Sequence, residues 1–260
     1  MSRPDDYTQL CERVRSICGV DLTQYKRGQM ERRVRTWASH KGTPDLGDLA
    51  IALRRDRSLL DAFLDRITIN VSGLWRHPEQ WETVGRTILP ELAARGPIRA
   101  WSAGCSFGAE AYTLATVCRA TIPDIRVEIQ GTDLDDRMLE RAREGVFSSD
   151  EVRIAPRPML KRYFVEELEG RWRVGPELRP LVRFEKGDLL RMPLRARRFD
   201  LVFCRNTVIY FNDEVRDQLH ARIAEALKPG GWFIVGTSER VAAPAALGLE
   251  SVSPFVYRKS

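Results

Sequence analysis

The chain has 260 residues, 43% of them hydrophobic and 30% charged, with a formal net charge of +6 and an isoelectric point near 9.2. That length allows one large core or two smaller ones, and no stretch approaches the roughly 20 apolar residues of a membrane helix. The acidic start, Met1-Ser-Arg-Pro-Asp-Asp6, lacks the apolar run of a secretory signal, so the expected location is the cytoplasm, without membrane insertion.

Five cysteines without a C-x-x-C pair and three scattered histidines argue against a disulfide framework or a zinc site, and no metal is expected. Cys105 and Cys204 fall inside strand-end motifs, which leaves two readings open, thiols near a ligand or, the favoured one, small buried hydrophobes. The positive charge favours an anionic partner, and its densest cluster is Lys26, Arg27, Arg32, Arg33 and Arg35, interrupted only by Glu31.

From Tyr7 to about Ile69 the periodicity is helical and predicts a bundle of three or four helices. Met30, Val34 and Trp37 share one stripe, which leaves Arg32, Arg33 and Arg35 on the other faces. A further helix opens at Asp45-Leu46, and Leu59, Leu60, Phe63, Leu64 and Ile67 repeat at helical spacing before Thr68. The basic face is either a solvated surface or a docking surface. Aromatic residues are not interleaved with the arginines and no helix-turn-helix spacing occurs, so nucleic acid is not the expected partner.

At Gly96 an alternation of strands and helices begins. Strands are expected over Ile98–Ala103, Val127–Thr132, Leu201–Cys204 and Trp232–Thr237, with helices over Glu110–Ala120, Arg137–Arg143 and Asp213–Leu227. This is the βαβ rhythm of an open, largely parallel sheet, in which ligands bind beyond the carboxyl ends of the strands.

Four strand ends carry chemistry. After the first strand, Gly104 and Gly108 permit a tight turn and close backbone approach to a ligand. The turn has neither G-x-G-x-x-G nor the Lys-Ser/Thr ending of a phosphate loop, which counts against dinucleotides and nucleoside triphosphates there. After the second strand, Asp133 is placed to accept hydrogen bonds from ribose hydroxyls, or else to cap the following helix, a role open to Asp135 as well. Glu185-Lys-Gly-Asp188-Leu189 ends another short strand, and an apolar strand runs directly into Arg205-Asn206.

With these pieces in place the chain resembles the CheR family of chemoreceptor glutamate methyltransferases over nearly its whole length. The resemblance rests on Ile67-Thr-Ile-Asn-Val-Ser72 with Arg76, Trp101-Ser-Ala-Gly-Cys-Ser-Phe-Gly108, Thr132-Asp-Leu-Asp135, Cys204-Arg-Asn-Thr-Val-Ile-Tyr-Phe211, Leu227-Lys-Pro-Gly-Gly231 and Gly236-Thr-Ser-Glu239. It implies an α/β fold: a Rossmann-like S-adenosylmethionine-dependent methyltransferase domain with a small inserted antiparallel β-subdomain, preceded by a small all-α N-terminal domain. The implied divisions are 1–76 for the helical, receptor-recognising domain, 77–95 for a linker helix and 96–260 for the methyltransferase domain, with the insertion at about 146–182.

The resemblance also implies roles. Asn70, Ser72 and Arg76 would contact the cofactor from the segment between the domains; Asp133 would hold the ribose, Asp188 and Leu189 the adenine, and Asn206, beside Arg205, the methionine end. Tyr210 would lie close to the reacting centre, and S-adenosylhomocysteine would be the product. Where the family usually reads Gly-Glu-Glu-Pro-Tyr this chain has Gly108-Ala-Glu-Ala-Tyr112, leaving Glu110 alone to meet the donor's ammonium. The segment Val71-Ser-Gly-Leu-Trp75-Arg76 departs more mildly. A short insertion between Phe164 and Glu177 implies an enzyme independent of a receptor's C-terminal pentapeptide.

Arg76 is read as steering the substrate carboxylate or binding the donor's carboxylate, and Tyr210 as orienting the acceptor. The expected partner is the acidic surface of a chemoreceptor's cytoplasmic helical bundle, met by the basic helix from Lys26 to Arg35, with the enzyme acting as a monomer. A donor-binding sensor, and a methyltransferase for RNA or a small molecule, remain as alternatives.

Overall fold

A computed structural model describes residues 5–68 and 72–260. The chain divides into two compact units. One holds the N-terminal helices together with Tyr210–Arg216, and the other holds Ser72–Ile209 and Asp217–Ser260.

The helical unit contains α1 (Asp6–Cys18), α2 (Arg27–His40), α3 (Leu46–Arg55) and α4 (Arg57–Thr68). Asp5 caps α1 by accepting the Thr8 amide at 2.9 Å, Gly19 ends it at φ 82°, and Asp45 caps α3 through the Asp48 amide. The stripe of Met30, Val34 and Trp37 is buried, and the Trp37 ring meets Phe63 edge-on at 5.2 Å. Tyr210–Arg216 is tied into this unit by its backbone. Lys26 donates to the Tyr210 carbonyl at 2.8 Å and Asn212 to the Gln24 carbonyl at 2.9 Å, while Tyr25 packs edge-on against Phe211.

The larger unit opens with α5 (Pro78–Thr83), which continues through a π turn (Val84–Ile88) into α6 (Leu89–Ala93). Pro90 has no N–H for a regular helical bond, and the wider turn lies just before it. There follow β1 (Ile98–Ala103), α7 (Ala109–Thr121), β2 (Val127–Asp133), α8 (Asp136–Glu144), β3 (Val146–Phe147), α9 (Arg157–Tyr163), β4 (Phe164–Glu166), β5 (Trp172–Val174), β6 (Val182–Lys186), β7 (Phe199–Cys204), α10 (Asp213–Ala226), β8 (Leu227–Val235), β9 (Leu249–Ser253) and β10 (Val256–Lys259).

Seven strands form one sheet in the order β6-β2-β1-β7-β8-β10-β9, in which β10 alone runs opposite to the other six. The remaining three make the small antiparallel sheet β3-β5-β4. This is the expected Rossmann-like methyltransferase architecture with its inserted β-subdomain. At the centre of the main sheet Trp101 stacks on Phe199 and Phe203 on Trp81, all four buried.

The last parallel strand differs from expectation. It begins at Leu227 rather than Trp232 because Leu227 already pairs with Phe199; the register then jumps so that Leu201 faces Trp232, and Lys228–Gly231 bulges out. Gly230 takes φ 70° in that bulge, and its carbonyl accepts from Arg95 at 3.1 Å. The strand stops at Val235, short of Thr237, because the Gly236 amide turns to the Glu239 carboxylate.

Phe203 is fully buried and stacks on Trp81 at 5.0 Å. Phe203→Ala should therefore cost about 3–5 kcal/mol of stability, read as a lower urea midpoint with an unchanged slope. A loss under about 1 kcal/mol would contradict this packing.

Candidate active site

The chain leaves β1 for β2 and then β6 on one side, and returns to β7 on the other. The carboxyl ends of β1 and β7 are therefore neighbours whose connections diverge, which is the arrangement that opens a crevice in such sheets. Gly104 follows one of these ends and Arg205-Asn206 the other.

Gly104 takes φ 81°, and its amide and that of Cys105 both donate to the Thr132 carbonyl, at 2.9 and 3.0 Å. A Cβ on Gly104 would come within 2.5 Å of the Thr207 hydroxyl, and one on Gly131 within 2.6 Å of the Phe184 ring. Glycine at these two positions lets the turn after β1 approach its neighbours.

The turn delivers the Ser106 amide, at φ 47°, to Asp133 Oδ2 at 2.7 Å, while Oδ1 accepts the Asp135 amide at 3.0 Å. Asp135, not Asp133, caps α8 through the Arg137 amide. Both Asp133 oxygens thus accept backbone amides, which fix the carboxylate at the end of β2. Burial pushes this carboxyl above its ordinary range, against the pull of those amides.

Glu110, in the first turn of α7, is half-buried between Ser102 and Arg205. The Ser102 hydroxyl donates to Oε1 at 2.6 Å and Arg205 Nη1 lies 3.3 Å from Oε2. Arg205 is 7% exposed; its Nη2 donates to the Arg76 carbonyl at 2.6 Å, its guanidinium lies 5.4 Å from the centre of the Trp81 ring, and its Nε is buried without a partner among the described residues. Burial raises the Glu110 pKa and lowers that of Arg205, although each counters the other's shift.

Asn206 takes φ 57°, a left-handed conformation that asparagine tolerates better than most residues. Glu239 holds it there. The Glu239 carboxylate accepts the Asn206 amide at 2.6 Å, the Gly236 amide at 2.7 Å and the Val208 amide at 2.9 Å. A Cβ on Gly236 would sit 2.5 Å from that carboxylate and 2.9 Å from the Asn206 nitrogen.

Asp188 accepts the Leu190 amide at 2.9 Å, and its carbonyl receives the amides of Arg191 and Met192, so Asp188-Leu189 opens a tight turn after β6. Arg222 of α10 clamps this turn through the carbonyls of Leu189, at 3.1 Å, and Met192. His77, next to Arg76, has both ring nitrogens 3.4 Å from the Thr237 hydroxyl, and burial together with Arg205 and Arg76 lowers its pKa.

Of the residues singled out in the sequence, Gly104, Glu110, Asp133, Asp188, Leu189, Arg205 and Asn206 lie at or just beyond the carboxyl ends of β1, β2, β6 and β7, and Arg76 joins them through its carbonyl. Ser72 belongs to the same unit, and Asn70 lies outside the described residues. Tyr210 falls in the helical unit rather than with the 96–260 segment, where Arg33's guanidinium lies 4.9 Å over its ring. Sequence reasoning quoted Glu239 within a motif but gave it no role, and it missed Arg222. The first was legible as an acid three residues past a strand-ending glycine, whereas the second carried no local signal. Among the described residues no cluster of His, Cys, Asp or Glu is arranged to hold a metal ion.

The profile of the CheR methyltransferase all-alpha domain matches residues 5–68, and that of the CheR methyltransferase SAM binding domain matches 70–253. The chain is 34% identical over 257 residues to a chemotaxis protein methyltransferase of Listeria innocua, covering 98% of this chain and 97% of the relative. It is 35% identical to the Listeria monocytogenes protein of that name, with the same coverage, and 34% identical to chemotaxis protein methyltransferase 1 of Pseudomonas aeruginosa, covering 85% of each.

Glu239→Gln places an amide NH2 against backbone N–H groups. It should cost about 1–3 kcal/mol in urea unfolding and weaken S-adenosylhomocysteine binding through loss of the Asn206 conformation. Unchanged affinity in calorimetry would show that Glu239 does not position Asn206 for the ligand.

Proposed function

The chain belongs to the CheR methyltransferase family, and from that premise we propose that it transfers a methyl group from S-adenosylmethionine to glutamate side chains on the cytoplasmic helices of chemoreceptors. The observation that carries the reading is the set of groups at the switch point. Asp133 is a carboxylate fixed by backbone amides at the end of β2, where ribose hydroxyls could donate to it, and the Glu110–Arg205 pair offers both charges needed by a zwitterionic amino-acid end. The unpartnered Arg205 Nε is a buried donor that a carboxylate would satisfy.

In this reading Asp133 holds the ribose, the Asp188-Leu189 turn frames the adenine, Gly104 permits close backbone approach, and Glu110, Arg205 and Asn206 bind the methionine end with Asn70, Ser72 and Arg76. When bound, the donor supplies an electrophilic methyl on a sulfonium. A glutamate with an ordinary pKa near 4.3 is already ionised at neutral pH, so the acceptor needs no general base. The protein's contribution is alignment and exclusion of water, worth several kcal/mol when reacting atoms are held in line. Arg76 steers the acceptor carboxylate or grips that of the donor, and Tyr210 orients the acceptor.

The receptor meets the basic helix. Arg27 and Arg35 are partly neutralised within the unit, by Asp5, Asp6 and Glu31, and Arg33 is committed to the Ile67 carbonyl and the Tyr210 ring. Lys26 and Arg32 are exposed and are the residues left to attract an acidic surface. The turn between β4 and β5 closes tightly, with the Glu167 amide donating to the Arg171 carbonyl at 2.8 Å, which supports action without a receptor tail peptide. No helix among the described residues is long and apolar enough to cross a membrane, and we place the enzyme in the cytoplasm as a monomer.

The experiment is incubation with methyl-labelled donor and a receptor cytoplasmic fragment, followed by alkali. Label should be released as methanol, at the same rate whether or not the fragment carries its last five residues; base-stable label would sink the carboxylate assignment. The double charge reversal Lys26→Glu with Arg32→Glu should lower kcat/KM roughly tenfold at low salt and less at high salt, with donor affinity unchanged. A salt-independent loss would remove the docking role.

Glu110 adds a pH dependence. Its pKa is raised above the ordinary 4.5 by burial, so at the acid end it is neutral and gives a ligand ammonium no charge to pair with. Affinity for S-adenosylhomocysteine should therefore rise with pH through a window displaced above the ordinary glutamate range. Glu110→Gln should reduce that slope and weaken binding about tenfold at pH 7; a calorimetric pH profile identical to that of the parent would contradict the assignment.

A further inference from the structure

The half of the main sheet formed by β6, β2 and β1 has two unlike faces. Alternation puts Val127, Ile129, Val182 and Phe184 on the side packed by α7 and α8, and Arg99, Glu128, Gln130, Arg183 and Glu185 on the other. Parallel strands are ordinarily buried on both faces. Here the connection from Gly187 to Arg198 forms no helix, and although Trp101 and Thr132 on the second face are buried, Arg99, Glu128, Arg183 and Glu185 stay exposed.

The amino-terminal ends of these strands, with Arg119 near the end of α7 and Pro180-Leu181 before β6, line a cavity of about 390 Å³. Five arginines and two glutamates line it, a surplus of three positive charges. Glu128 is taken up by Arg126 at 2.6 Å and Arg99 at 3.4 Å, and Glu185 accepts from Gln130. That leaves Arg119, Arg183 and Arg198 with no carboxylate in ion-pair reach among the described residues. Arg119 is anchored through Nη1 to the Pro123 carbonyl at 3.2 Å, and its Nε is buried and unpartnered.

We propose that this cavity is a second ligand site, for a small molecule bearing an oligophosphate group. Guanidinium forks match phosphate oxygens bidentately, and the apolar part of the lining, Ile125, Val127, Ile129, Leu181 and Phe199 among it, leaves room for the rest of such a molecule. The concavity is of small-molecule size rather than a flat surface for a protein partner. Three uncompensated cations call for more than one negative charge. Arg99, Arg126 and Arg198 lie at the amino ends of β1, β2 and β7, opposite the strand ends that carry Asp133 and Arg205, so this site can fill while the donor crevice is occupied.

The test is titration calorimetry of the full chain, saturated with S-adenosylhomocysteine, against sodium tripolyphosphate and against ADP at physiological salt. Saturable binding at one per chain is expected for at least one of them. Equal affinities would mean that phosphate alone is recognised; tighter ADP binding would mean that the nucleoside contributes. Arg183→Glu, on the exposed strand face, should weaken binding at least tenfold while S-adenosylhomocysteine affinity stays within twofold, and Arg119→Glu should do the same if it folds. The proposal is overturned if neither ligand saturates, if Arg183→Glu binds as the parent does, if sulfate competes at equal concentration, or if an acidic polypeptide binds this face in preference to both.

Discussion

Adjacent β1 and β7, with connections that leave in opposite directions, are the constraint on which the rest of the larger unit depends. Wherever a parallel sheet reverses its winding, the loops after the two flanking strands separate and backbone polar groups are left facing a crevice. In this chain those loops are short and heavily determined. Glycine conformations at Gly104 and Gly108, a left-handed Ser106 and a left-handed Asn206 are all held by named hydrogen bonds or close contacts. Such conformations persist only where their surroundings over-determine them, and here they gather at the proposed ligand site.

Three buried or half-buried carboxylates do the holding. Asp133 ties the turn after β1 to the end of β2, Glu110 joins β1 to β7 through Ser102 and Arg205, and Glu239 joins β7 to β8 through three backbone amides. Each costs desolvation, and burial is the largest influence on the pKa of all three. The cost is offset by hydrogen bonds to ionised groups, which are stronger than neutral ones. A reaction that needs no proton transfer fits this arrangement, because the charges are placed to bind and orient rather than to titrate during turnover.

Much of this was legible in the sequence because it follows from period and punctuation. The βαβ rhythm located β1, β2 and β7, the helical stripe of Met30, Val34 and Trp37 located α2, and the acid that ends β2 marked Asp133. The bulged start of β8 was not legible, since Leu227-Lys-Pro-Gly-Gly231 reads locally as a turn and its pairing with Phe199 is a tertiary fact. Nor was the grouping of Tyr210 with the helices, which depends on backbone bonds to residues nearly two hundred positions earlier. Arg222 was invisible for a related reason: on an amphipathic helix an arginine reads as solvated, and only the fold brings it to the carbonyls of Leu189 and Met192.

The account reduces to one chemical statement, that a carboxylate oxygen of an acidic helical protein receives the methyl group. Peptide mass spectrometry of a receptor cytoplasmic fragment after incubation with the enzyme and S-adenosylmethionine tests it most directly. The predicted result is a methyl increment localised to glutamate side chains, lost after mild alkali and absent with the Asp133→Ala enzyme. An increment on lysine, arginine or cysteine that survives alkali, or none while the donor still binds, would contradict it.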